Sequence, residues 1–153
     1  MAAFTQRLML PDDANPAGNV HGGTILKMIE QAGYIAAMRH VKAAGSNSSS
    51  SGASASAEDE IVVVMGTIDC TFLRPMHIGD VSRCEAKVTY AINSAVEVTV
   101  TVTREDLQTP ESKFVTTNKA NIYYVQCKNV CSLQPLPHRP RKPHTHMHAP
   151  YIN

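Results

Sequence analysis

The residues best suited to chemistry lie together in the stretch from Asn19 to Glu30. Gly22 and Gly23 open a segment with helical periodicity, where the unpaired amides and the positive dipole end of a helix converge. Amides that no side chain covers could stabilise a carbonyl oxygen as it becomes negative. The alternative is that the two glycines only permit a tight turn and close packing of the helix.

Three side chains around this helix start could complete a site. Asn19 could hold a water or a carbonyl oxygen through its amide, or act only as a turn or capping residue. His21 could carry a proton, or only bond the neighbouring backbone. Glu30 is the sole carboxylate between residues 14 and 57. It could activate water if a subunit contact partly desolvates it, or it could pair in solvent with Lys27.

Other reaction schemes find little support in the sequence. The chain has no Gly-x-Ser-x-Gly elbow, no phosphate-binding Gly-x-x-x-x-Gly-Lys-Ser/Thr loop and no dinucleotide Gly-x-Gly-x-x-Gly motif. Cys127 and Cys131 lack a second pair at comparable spacing, and the three histidines at 144, 146 and 148 lack companion acids. We therefore expect no metal site, and we expect all four cysteines to be reduced thiols.

The elements that must position these residues follow from periodicity. A short strand is predicted over residues 6–10 and a helix with a wide apolar surface over residues 24–40. Residues 43–57 consist almost wholly of Ser, Ala, Gly and Asn, so we expect a flexible insertion over 43–60. Residues 61–65 form an apolar run typical of a strand buried on both faces, which continues over 67–74.

Three alternating segments follow, each with one apolar and one polar face. A short connection, residues 91–94, makes the first two antiparallel neighbours. One buried helix and a sheet with a single apolar face predict an α+β domain in which the sheet curls around the helix. The residues expected to face inward are Cys84, Ala86, Val88, Tyr90, Val96, Val98, Val100, Val102, Phe114, Ala120, Ile122 and Tyr124.

Length and composition limit the remaining possibilities. The 153 residues suit one domain, predicted over 1–133, followed by a Pro- and His-rich tail over 134–153 that we expect to be disordered. A formal charge of +1 argues against a nucleic-acid partner. No apolar stretch approaches the length of a membrane span and no export signal is visible, so we expect a cytoplasmic protein.

Several segments together resemble one known family. Residues 11–15 (PDDAN) and 18–30 (GNVHGGTILKMIE) resemble the first-helix signature of the hotdog-fold acyl-CoA thioesterases, and within them the first domain of two-domain members. Residues 72–80 (FLRPMHIGD) and 117–120 (TNKA) resemble the family's strand-end and last-strand segments. The likeness covers about residues 6–126.

The resemblance implies a hotdog fold that self-associates through its sheet edges, as a dimer or a trimer of dimers. It implies fatty acyl-CoA as substrate and no cofactor, with Asn19 of one subunit and Glu30 of another as the catalytic pair. Gly22, Gly23 and His21 would then bind the substrate and its oxyanion. Relatives commonly carry Asp at the acidic position, and two-domain relatives supply it from their second domain. A catalytically weak acyl-CoA-binding or assembly module therefore stays open as the alternative.

Overall fold

A computed structural model of the chain describes residues 2–46, 61–108 and 114–128. In chain order the elements are β1 (Ala2–Leu8), a short 3-10 helix (Pro11–Asp13), α1 (Gly22–Ser46), β2 (Ile61–Phe72), β3 (Val81–Ile92), β4 (Ala95–Glu105) and β5 (Val115–Lys128). The strands form one antiparallel sheet in the order β1-β3-β4-β5-β2. Helix α1 contacts all five strands. The predicted α+β architecture, a sheet around one central helix, is confirmed.

Helix α1 presents an apolar face to the concave side of the sheet. Ile25, Met28, Ile29 and Ala32 are buried at the three- and four-residue spacing that places side chains on one helical face. The helix begins two residues before the predicted start. It also continues to Ser46, four residues into the segment expected to be an insertion; residues 47–60 lie outside the described part of the chain.

The alternation predicted for β4 is confirmed residue by residue. Val96, Val98, Val100 and Val102 are at most 3% exposed, while the residues between them are partly exposed. β4 lies between β3 and β5, and its inner face packs against α1. Each buried valine stabilises the fold by roughly 1.5 to 3 kcal/mol relative to exposure.

Two aromatic residues expected to face inward lie on the surface instead. Tyr90 is 56% exposed, because the β3–β4 register shifts between Val88 and Tyr90 and interrupts the alternation. Phe114 is 53% exposed. It precedes the first residue of β5, Val115, and so lies outside the region where strand geometry fixes its side.

The prediction for β2 is wrong in a way that matters for function. β2 is an edge strand of the sheet, not a strand buried on both faces, and Val64 and Met65 are 39% and 40% exposed. A bulge lies between Met65 and Thr67. The second edge, β1, ends at Leu8 and so stops short of the predicted boundary at residue 10.

Other expectations concern membrane spans, the cysteines and the C-terminal tail. No helix in the described ranges is long and apolar enough to cross a membrane. Cys70, Cys84 and Cys127 are free thiols. Cys131, the three tail histidines and the predicted tail over 134–153 lie outside the described residues.

Gly33 allows the helix to approach the sheet closely, a role that the sequence did not reveal. A Cβ atom at Gly33 would lie 2.6 Å from the Tyr124 hydroxyl and 2.7 Å from Ile122 Cδ1. Both distances are too short for real contacts, so the helix or the tyrosine would have to shift. Close packing here therefore depends on the absence of a side chain.

Gly33→Ala is expected to lower the free energy of unfolding by about 1 to 2 kcal/mol. Overpacking costs about 1 to 3 kcal/mol, and the better helix propensity of alanine offsets part of it, up to about 1 kcal/mol. Urea denaturation followed by circular dichroism measures the change. In a cycle with Tyr124→Phe, the double variant should lose less than the sum of the single losses. A Gly33→Ala protein more stable than the wild type would contradict this packing account.

Candidate active site

The start of α1 is capped by the histidine that precedes it. The His21 carbonyl accepts the Thr24 N–H at 3.0 Å, and the His21 Nδ1 accepts the Gly23 N–H at 3.0 Å. The ring therefore carries its proton on Nε2 in this geometry. This contact matches the backbone-bonding alternative for His21. It also means that Gly23 does not present an uncovered amide, contrary to expectation.

Gly22 keeps the exposed-amide character that the sequence suggested. Its N–H is the first of the helix, so no carbonyl of the helix can accept it, and the described residues provide no other acceptor. A Cβ atom at Gly22 would lie 3.5 Å from the Phe72 ring, which places the helix start beside the end of β2.

Asn19 lies in the loop before the helix, held by its backbone. Its N–H donates to Asn15 Oδ1 at 3.1 Å, and its carbonyl accepts the Asn15 N–H at 2.7 Å. The half-buried side-chain amide of Asn19 bonds to no described residue and is available to a ligand. Asn15, which also binds the Ala17 N–H, organises this loop; sequence reasoning did not single it out.

A buried carboxylate anchors the same loop to the sheet. Asp13 is 7% exposed, and its two oxygens accept hydrogen bonds from Arg7 at 2.9 Å. One of them also accepts the Leu10 N–H, while the Asp13 carbonyl accepts the His21 N–H at 2.7 Å. Asp13 thereby fixes the position of the cap. No local pattern in the sequence signals the pairing with Arg7.

A second network supports the far side of the loop. Asn19 forms a β-bridge with His77. Asp80, 4% exposed, accepts the His77 N–H at 2.8 Å and a hydrogen bond from Arg104 at 2.9 Å. Arg104 also lies 2.8 Å from His77 Nδ1, which accepts from the guanidinium. Sequence reasoning missed this network because Arg104 lies on a different strand, far along the chain.

Glu30 is a half-buried residue of α1. Its carbonyl accepts a hydrogen bond from the Tyr124 hydroxyl at 3.0 Å. Burial, and to a smaller extent the nearby Glu30 carboxylate, raise the pKa of Tyr124 well above its ordinary value, so the phenol stays a proton donor. Within the described residues Glu30 forms no ion pair, and the alternative pairing with Lys27 is not found there.

One chain does not bring all the predicted residues together. Asn19, His21, Gly22 and Gly23 lie at one end of α1, whereas Glu30 lies eight residues farther along it than Gly22. Eight residues of helix rise about 12 Å. A carboxylate at that distance cannot act on a group bound at the glycines of the same chain.

Comparison with known proteins decides the family. A family model described as the thioesterase superfamily matches residues 17–111, which include the helix start and Glu30. The chain belongs to the thioesterase superfamily. Over 139 residues it is 43% identical to a human protein named cytosolic acyl coenzyme A thioester hydrolase, which covers 89% of the chain. The chain spans about a third (33%) of the length of that relative.

Solved structures of thioesterases share the fold of this thioesterase-superfamily chain. A hexameric hotdog fold thioesterase of Campylobacter jejuni superimposes with a TM-score of 0.61 at 32% identity, covering 79% of each chain. An acyl-CoA hydrolase from Staphylococcus aureus superimposes with a TM-score of 0.63 at 23% identity, covering 81% of this chain and 64% of the other. The fold is therefore a hotdog fold, as the sequence resemblance implied.

Proposed function

We propose that the chain hydrolyses fatty acyl-CoA to a free fatty acid and coenzyme A, at a site that two copies build together. The observation that carries the proposal is the 43% identity to a cytosolic acyl coenzyme A thioester hydrolase over most of the chain. The free amide at the start of α1 and the carboxylate farther along it supply the chemistry that such a reaction needs.

The reaction follows from these groups. Glu30 of one copy takes a proton from a water that Asn19 of the other copy positions. The water oxygen bonds to the thioester carbon, and the Gly22 amide with the helix dipole stabilises the oxyanion. Collapse of the tetrahedral intermediate breaks the carbon–sulfur bond. Coenzyme A leaves as a thiolate, a good leaving group because thiol pKa values lie at about 8.5. The proton held by Glu30 passes to this thiolate, which restores the carboxylate, and no cofactor takes part.

The β2 edge offers a way to unite the two halves of the site. Phe72 lies beside Gly22, and Met65 lies opposite Tyr124, whose hydroxyl bonds to Glu30. Antiparallel pairing of β2 with its copy, about a two-fold axis midway between Met65 and Phe72, would place the Met65 end of each strand opposite the Phe72 end of the other. Each Glu30 would then approach the helix start of the other copy.

The assembly proposed on this basis is a dimer, with a trimer of dimers as the larger form. A relative at 32% identity is described as hexameric. β2 has 12 residues against seven in β1, and its exposed apolar side chains provide more surface for a partner. The cytosolic relatives make the cytoplasm the proposed compartment.

A second candidate is an acyl-CoA-binding or assembly module with little turnover, such as one half of a two-domain enzyme. The separation of Glu30 from the helix start favours it, because a site made from both needs a second hotdog unit. Steady-state hydrolysis of palmitoyl-CoA by the purified chain, followed by release of free thiol, separates the two. Turnover supports the thioesterase. Binding of palmitoyl-CoA without turnover would overturn it in favour of the binding module.

A further inference from the structure

Asn118 is a fully buried polar residue whose hydrogen-bonding groups are unsatisfied. It is 0% exposed, and among the described residues neither Oδ1 nor Nδ2 has a hydrogen-bond partner. The Cys70 thiol lies close to the carboxamide, but a thiol is at most a weak hydrogen-bonding group. A buried polar group without a partner destabilises the fold.

The position of Asn118 connects it with the helix start. Asn118 shares the inner face of β5 with the buried Ala120, Ile122 and Tyr124, and this face packs against α1. Directly opposite it on β2 is Phe72, whose ring would contact a Cβ atom at Gly22 at 3.5 Å. Asn118 on β5 and Gly22 at the start of α1 are thus both neighbours of Phe72.

The helix start also provides fewer hydrogen-bond donors than an oxyanion site uses. A developing oxyanion is best stabilised by two donors, and the Gly23 N–H is already bonded to His21. The Gly22 N–H supplies one donor, and a second is needed. A side-chain amide can serve as the second donor of such a site.

We infer that Asn118 is a substrate-binding residue whose Nδ2 donates, together with the Gly22 N–H, to the carbonyl oxygen of the thioester. The inference rests on the proposed function. Because Asn118 is fully buried, the exposed Phe72 side chain opposite it must move aside when the thioester enters. The bond strengthens as the oxygen gains charge, so Asn118 acts mainly on kcat.

Asn118→Leu tests the inference by removing the amide while keeping the branched shape of the side chain. We expect kcat for palmitoyl-CoA to fall about 100-fold, the typical effect of one lost oxyanion donor, with KM changed by less than about 3-fold. The urea midpoint should stay equal or rise, because an unsatisfied buried group has been replaced by an apolar one. Asn118→Ala, which leaves a cavity but no steric conflict, should show the same fall in kcat.

Ser82→Ala is the matched control. Ser82 is also 0% exposed with an unpartnered hydroxyl, but it lies on β3, next to β1 and away from β2. It should keep wild-type kcat. If wild type turns over palmitoyl-CoA and either folded Asn118 variant matches its kcat, the assignment of Asn118 is overturned and the proposed function stands. If wild type shows no turnover, both are overturned.

Discussion

Glu30→Gln is expected to lower kcat for palmitoyl-CoA hydrolysis by about 100-fold or more, since general-base catalysis typically contributes 10²- to 10⁴-fold. Glutamine keeps the shape of glutamate but cannot accept a proton from water. The Tyr124 hydroxyl bonds to the Glu30 backbone carbonyl, so this link between helix and sheet survives the substitution. Steady-state kinetics measure the loss, and circular dichroism and light scattering should report an unchanged fold and assembly.

Glu85→Gln provides the comparison for this prediction. Glu85 lies on the outer face of β3, paired with Lys87, and its substitution removes the same charge far from the helix start. Its kcat should remain within about 2-fold of wild type, as expected for surface substitutions that touch no site. Equal activities of the Glu30 and Glu85 variants would remove Glu30 from the mechanism.

Met65→Lys is expected to weaken self-association by about 100-fold in the dissociation constant and to abolish most turnover at dilute concentrations. An unpaired lysine charge buried in an apolar interface costs several kcal/mol in lost hydration, and each 1.4 kcal/mol is about tenfold in affinity. Met65 is 40% exposed on the β2 edge, where two copies would meet. Sedimentation or light scattering across a dilution series measures the shift, alongside kcat at each concentration.

The opposite edge of the sheet supplies the control for this experiment. Leu8 is an apolar residue on β1 with a comparable exposure of 46%. Leu8→Lys adds the same charge to the other edge and should leave the subunit count and kcat unchanged. If Leu8→Lys dissociates the assembly and Met65→Lys does not, the copies meet through β1 and the two-copy site on β2 is wrong.

Local patterns predicted the core elements well. The β4 valines obey strict alternation because β4 itself carries no extra residue: the register shifts beside it skip Thr89 on β3 and Thr117 on β5. The helix could be predicted from the sequence because its apolar residues recur on one face. Tyr90 and Phe114 were misplaced because a register shift and a strand boundary are set by pairing across the sheet. A single strand read alone does not contain that information.

The candidate site could be predicted from the sequence only in part, for a similar reason. Asn19, Gly22 and Glu30 lie in one short stretch with a recognisable pattern. Asp13 with Arg7, and Asp80 with Arg104, depend on chain crossings that bring distant residues together. The edge position of β2 depends on strand order, which an apolar run does not specify. His21 binding to Gly23 depends on the conformation of the loop rather than on residue type.

The most direct measurement is the activity of mixed assemblies made by co-expressing a Glu30→Gln chain with an Asn19→Ala chain, each nearly inactive alone. If one site takes Asn19 from one copy and Glu30 from the other, a mixed dimer contains one intact site of two. Random pairing makes half the dimers mixed, so about one quarter of the wild-type kcat should return. No recovery in mixed dimers isolated through two different tags would contradict a site shared between copies.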